Sequence, residues 1–275
     1  MKNFLAFPLT RLILIVVLFG AVAFAMTPIA LRMHSGIFSQ AIVFVSLLAV
    51  TLLVEYFCAR QTLADVGFPS SGALSGIFGG LLIGGILFSI VIAILAATHC
   101  YTASFQSWSP LLPALAFFLI GALVEELLFR GVLFRLIEKM TGTWIALVLS
   151  AILFGAIHIA NPHATIFSSL AIALEAGVLL ALAYVLTRSL WFAIGIHWGW
   201  NLFEGPIFGT QVSGGQFTAT VMHAKMSGPT LLTGGSFGPE AGVVAIVVCL
   251  AAAVIIGTLA IKKHRLIQPM WLKIK

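Results

Sequence analysis

Apolar residues run along this chain in eight long blocks, separated by short stretches where charged residues, glycine and proline collect. The blocks fall at about 10–31, 38–59, 74–97, 111–137, 144–160, 166–186, 190–208 and 241–262. A helix needs roughly 20 mostly apolar residues to cross hydrocarbon. Most blocks reach that length, although the fifth is short and the seventh is broken by polar residues. The pattern predicts an all-α polytopic membrane protein, a bundle of about eight transmembrane helices, with residues 1–275 as a single integral-membrane domain. It contains no internal repeat, no soluble insertion and no phosphate-binding glycine loop. The first block also carries marks of a signal peptide: Lys2 and Arg11, an apolar run, then Ala23-Phe24-Ala25. Its length and its continuation past that point favour an uncleaved first helix.

Composition agrees with this picture. Charged residues are 8% of the chain and hydrophobic ones 61%, whereas soluble domains carry about 25% charged residues. The net charge of +6 raises the question of nucleic acid. However, no basic stripe with interleaved aromatics exists, and five of the basic residues lie in the last 14 positions. That arrangement reads as a membrane-flanking tail, with the lipid bilayer as partner and no nucleic acid. Cys58, Cys100 and Cys249 are scattered and fit no metal spacing. The basic residues also test the block count. With the N-terminus inside, eleven fall on inside segments (Lys2, Arg11, Arg60, Arg135, Lys139, Arg188 and five in the tail) and only Arg32 and Lys225 fall outside. This is the asymmetry of the positive-inside rule, and it puts both termini in the cytoplasm.

Within the third block, Gly72, Gly76, Gly80 and Gly84 recur every four residues, a small-residue face that lets a neighbouring backbone approach. The only long polar loop, about 209–240, is rich in Gly, Ser and Thr. The remaining polar residues inside the blocks are the informative ones, because ionisable groups in hydrocarbon are costly and tend to face a wet cavity. EELLFRG at 125–131 puts Glu125, Glu126 and Arg130 in block four; block five holds Phe154 and His158; HWGWN in block seven holds His197 and Asn201. Glu126 and Arg130 are one helical turn apart and can pair. Glu125 is turned about 100° away and stays free to project elsewhere. His197 and Asn201 share a face, which Glu204 extends before Gly205-Pro206 ends the helix. A carboxylate near an ion pair can serve as a general base, a histidine can share a water with it, and a second histidine and an asparagine can donate to an oxyanion. The set fits attack of water on a peptide carbonyl within the membrane. Other polar residues rank lower: Glu55, near Arg60, at the membrane interface; Glu175 as a lone packing or cavity residue; His163 in a loop; His34, His99, His223 and His264 at ends or loops; and Trp191, Trp198 and Trp200 as anchors and packing.

The ordered motifs Glu-Glu-x-x-x-Arg, Phe-x-x-x-His and His-x-x-x-Asn resemble the CPBP family of intramembrane proteases, which includes type II CAAX prenyl endopeptidases and bacterial Abi-type proteins. The likeness covers about residues 111–208, the expected catalytic core, and TGGSFGPEAG at 233–242 is also similar to bacterial members. It implies that Glu125 and His158 activate water, that His197 and Asn201 stabilise the oxyanion, and that Glu126 and Arg130, with Phe154, support the site. Family members are described both as metalloproteases and as metal-free glutamate proteases. Glu125, His158 and His197 could form an open three-ligand zinc site, although the helical H-E-x-x-H signature is absent. The carboxamide at Asn201, better suited to an oxyanion than to zinc, favours the metal-free chemistry. The expected substrate is a membrane-associated protein or peptide, and the loop style suggests a bacterial plasma membrane. Two other readings stand beside this one: a proton-coupled transporter using the same Glu and His residues, and a non-catalytic immunity or scaffold protein of the same fold.

Overall fold

A computed structural model describes residues 2–32 and 36–272; His34 lies outside them. Among the described residues, seven helices are long and apolar enough to cross a membrane. These are α1 (Pro8–Arg32), α2 (Gly36–Ala59), α3 (Ala73–Ala97), α4 (Leu111–Thr141), α5 (Thr143–Ala160), α6 (Ile166–Thr187) and, after α7, α8 (Val243–Lys262). The block at 190–208 is α7, Leu190–Leu202, continued by a π-helical turn at Phe203–Ile207. It carries His197, Asn201 and Glu204 and so lacks the apolarity of a lipid-facing span; instead its residues from Ala193 to Trp200 are buried. The count of about eight spans thus resolves, among the described residues, into seven apolar helices and a polar eighth packed chiefly on α3, α4 and α6. Nor does Gly205-Pro206 end that helix, because the π turn carries through both residues.

Glycine explains how a polar helix is held so closely. A Cβ on Gly80 would lie 2.4 Å from the Phe192 carbonyl oxygen, and one on Gly84 only 2.1 Å from that of Ile196. The relation is mutual: a Cβ on Gly195 or Gly199 of α7 would lie 2.3 or 2.2 Å from the carbonyl oxygen of Ile77 or Leu81. Gly72 plays no part in this contact; it caps α3 in a left-handed conformation. Gly84→Val is therefore expected to destabilise the protein at the upper end of the roughly 1–3 kcal/mol that overpacking costs, since backbone atoms cannot step aside. Gly79→Ala, which meets no atom within 4 Å, is the control. Thermal unfolding in detergent reads the difference.

One end of the bundle is tied by ions. Glu55 is fully buried. It accepts from Arg11 Nη1 at 2.5 Å and from Arg135 Nη2 at 2.9 Å, joining α1, α2 and α4. Nearby in the chain, Glu138 pairs with Arg188 at 2.5 Å, and Arg188 also donates to the Arg265 carbonyl. All these arginines belong to the segments assigned to one side by charge alternation. The other end carries a two-stranded antiparallel sheet, β1 (Tyr101–Phe105) with β2 (Met222–Met226), in register Tyr101↔Met226. The sheet was not expected, although Met222, Ala224 and Met226 alternate with His223 and Lys225 at the strand period. His223 accordingly sits on β2, while His99, His163 and His264 occupy turns with positive φ. Trp198 and Trp200 are buried and Trp191 is half-buried; Trp198 Nε1 donates to the Leu115 carbonyl at 3.0 Å and Trp191 Nε1 to that of Pro69 at 2.9 Å. The three cysteines are free.

Candidate active site

The pair read from EELLFRG forms as its spacing dictates. Arg130 Nη1 donates to Glu126 Oε1 at 2.8 Å, and both side chains are wholly buried. Arg130 Nη2 donates to the carbonyls of Ala176 and Gly177 at 2.9 and 3.3 Å, and the guanidinium lies 4.3 Å above the Phe154 ring. One arginine thereby ties α4 to α5 and α6. Glu126 Oε1 also hydrogen-bonds His197 Nδ1 at 2.9 Å, tying α4 to α7. With a carboxylate as its partner, Nδ1 carries the proton, and the other ring nitrogen turns away from Glu126.

That nitrogen, His197 Nε2, is 3.9 Å from Glu125 Oε2. The Glu125 side chain is 38% exposed, yet its Oε2 is a buried oxygen with no hydrogen-bond partner. Glu126 Oε2 is likewise unbonded, but Glu126 already holds two cationic or donor groups through its other oxygen. Glu125 holds none. His158, at the end of α5, donates Nδ1–H to the Phe154 carbonyl at 2.7 Å, which leaves Nε2 as an acceptor. The Phe154 ring packs near both histidines, 4.8 Å from His158 and 6.2 Å from His197 by ring centroids.

His158, His197 and Asn201 line one cavity together with Glu175, Ser213 and Glu240. Its free space is about 30 Å³, room for one or two waters. Glu125 is not part of that lining; it approaches from the α4 side through His197. Three π-helical turns among the described residues border this region: Leu127–Phe134, Ala173–Gly177 and Phe203–Ile207. Such turns are rare and collect at functional sites.

The structure adds residues that the sequence pattern undervalued. Glu175, read as a packing or cavity residue, lines the cavity beside Glu240, and the carboxyl of Glu240 lies close to that of Glu204. Burial pushes the Glu240 carboxyl above its usual range, opposed in part by the polar groups of neighbouring Ser213 and Glu204. Its signal was a glutamate abutting the last apolar block within TGGSFGPEAG. The same segment closes the site, because Phe237 and Ala241 pack with Phe129, Phe154 and Ile172. The zinc set fares differently. Among the described residues no group of three or more His, Cys, Asp or Glu side chains is arranged to hold a metal ion, so Glu125, His158 and His197 do not converge as ligands.

Residues 106–203 match the family described as type II CAAX prenyl endopeptidase Rce1-like. The "Putative membrane peptidase YdiL" of Bacillus subtilis is 24% identical over 181 residues, covering 62% of this chain and 71% of that protein. No solved structure matches the chain.

Proposed function

We propose, from the membership of the CPBP family of membrane proteases that both matches support, that this chain is an intramembrane endopeptidase with its catalytic core in residues 111–208. Its substrate is a membrane-associated protein or peptide, and its setting a bacterial plasma membrane with both termini cytoplasmic. The observation that carries the reading is the division of labour between neighbouring glutamates: Glu126 is held by Arg130 and His197, whereas Glu125 keeps a buried, unbonded oxygen beside His197.

In the proposed step, Glu125 takes a proton from a water that His158 Nε2 helps to hold, and the hydroxide adds to the scissile carbonyl. His197, protonated on both nitrogens, gives Nδ1–H to Glu126 and Nε2–H to the new oxyanion, with the Asn201 amide as second donor. The protonated Glu125 then returns its proton to the departing amine, and the tetrahedral carbon collapses to the acid. Every proton is accounted for by the water. The exposed flank of Glu125 beside His197 suits the peptide and the attacking water, and the small cavity on the far side of His197 lies behind the oxyanion donors.

Cleavage of a library of lipidated and transmembrane peptides by the purified protein tests this. Asn201→Ala is expected to lower kcat by about 10²–10³, the usual cost of one oxyanion donor, without changing the unfolding temperature. A kcat equal to the parent's would remove the oxyanion assignment. Because the histidines and Glu125 do not converge on a metal position, incubation with a zinc chelator is expected to leave the rate unchanged; loss of activity restored by zinc would overturn the metal-free route.

A further inference from the structure

The two ends of the bundle differ in charge and in what they cover. Arg11, Arg135 and Arg188 gather at one end with Glu55 and Glu138, where Arg188 also reaches the tail at Arg265. The same end receives Lys139, which donates to Gln61, and the C-terminus of α8 at Lys262. The opposite end carries the β1–β2 sheet, the turn after His158 and the segment from Phe208 to Gly242. Of the basic residues assigned to that side by alternation, there are only Arg32 and Lys225. Short basic segments stay in the cytoplasm during insertion, so the arginine end is cytoplasmic.

The cavity belongs to the other end. His158 lies at the end of α5 remote from Thr143, and Ser213 and Glu240 reach the cavity from the segment between α7 and α8. That segment is fastened over the site: Gly214 N–H donates to the Phe237 carbonyl at 2.7 Å, and Gly214 packs directly on the turn at Pro162. Alongside it, a polar basin of about 680 Å³ is lined by residues including Gln106, Thr210, Gln216, His223 and Ser236. We infer that the site opens to the extracytoplasmic face, and that its substrates are polypeptide segments presented there, next to the membrane, rather than cytoplasmic tails. The substrate class rests on the protease reading above; the orientation does not.

Ser104→Cys on β1 and Lys263→Cys after α8, both at exposed positions, are treated with a membrane-impermeant maleimide in intact bacterial cells, with the parent chain and its native cysteines as background. Ser104→Cys is expected to label nearly completely, and Lys263→Cys only after permeabilisation. The reverse pattern, or equal labelling of both, overturns the orientation. A second arm uses single-pass reporter proteins with short random segments next to the membrane, placed either outside or inside. Cleavage of outside segments, lost in Glu125→Gln, supports the substrate class, and cleavage confined to inside segments overturns it. If the labelling is as expected but neither reporter set is cut, the protease reading fails while the orientation stands.

Discussion

Glu126→Ala is expected to cost the protein most of its folded yield. The carboxylate it removes is wholly buried and is the counter-charge of Arg130, itself wholly buried. Arg130 would keep the carbonyls of Ala176 and Gly177 and the faces of Phe129 and Phe154, none of which carries charge. Removing one partner from a buried pair costs roughly 3–5 kcal/mol, a large share of the 5–15 kcal/mol that typically holds a fold together. His197 loses its anchor in the same stroke, so any surviving protein should also be inactive. The yield and unfolding temperature of the detergent-solubilised variant are the measurements, and values equal to the parent's would show that Arg130 finds another partner. The paired replacement Glu126→Leu with Arg130→Met refines the test. A buried pair exchanged for apolar side chains is often neutral or stabilising, so this double variant should recover yield. It should not recover cleavage, because no carboxylate then orients His197.

What the chain revealed before its structure was local geometry. Residues three or four apart on a helix must be neighbours, so Glu126 with Arg130 and the glycine face of α3 were legible from spacing alone. Which helix receives each face is a tertiary matter. Glu55 shows the limit: its partners Arg11 and Arg135 are 44 and 80 residues away, beyond anything helical spacing can reach. The polarity of α7 was visible, but not that Gly195 and Gly199 would sink it against α3 at backbone distance. The π turns also escape a periodicity argument, since each inserts a residue into a pattern that assumes a regular 3.6 per turn. Glu240 was hidden for a related reason. It sits in a loop-like sequence, where no helical face predicts that it turns inward to the cavity.

Glu125→Gln should separate chemistry from folding. The exchange keeps the side chain's shape and removes only its capacity to take a proton at the reacting water. No ion pair or hydrogen bond closer than the 3.9 Å approach to His197 depends on that carboxylate, and one of its oxygens is buried without a partner. Supplying a donor there is, if anything, favourable to the fold. The unfolding temperature should therefore match the parent's, while kcat falls by about 10²–10⁴, the contribution of a positioned general base, and KM changes little. Equal rates for Glu125→Gln and the parent would remove Glu125 from the reaction and leave His158 as the remaining base. A matched fall in stability would instead make Glu125 a structural partner like Glu126. The opposite signatures expected at two adjacent glutamates, one measured in yield and the other in turnover, follow from the roughly 100° that a helix puts between consecutive side chains.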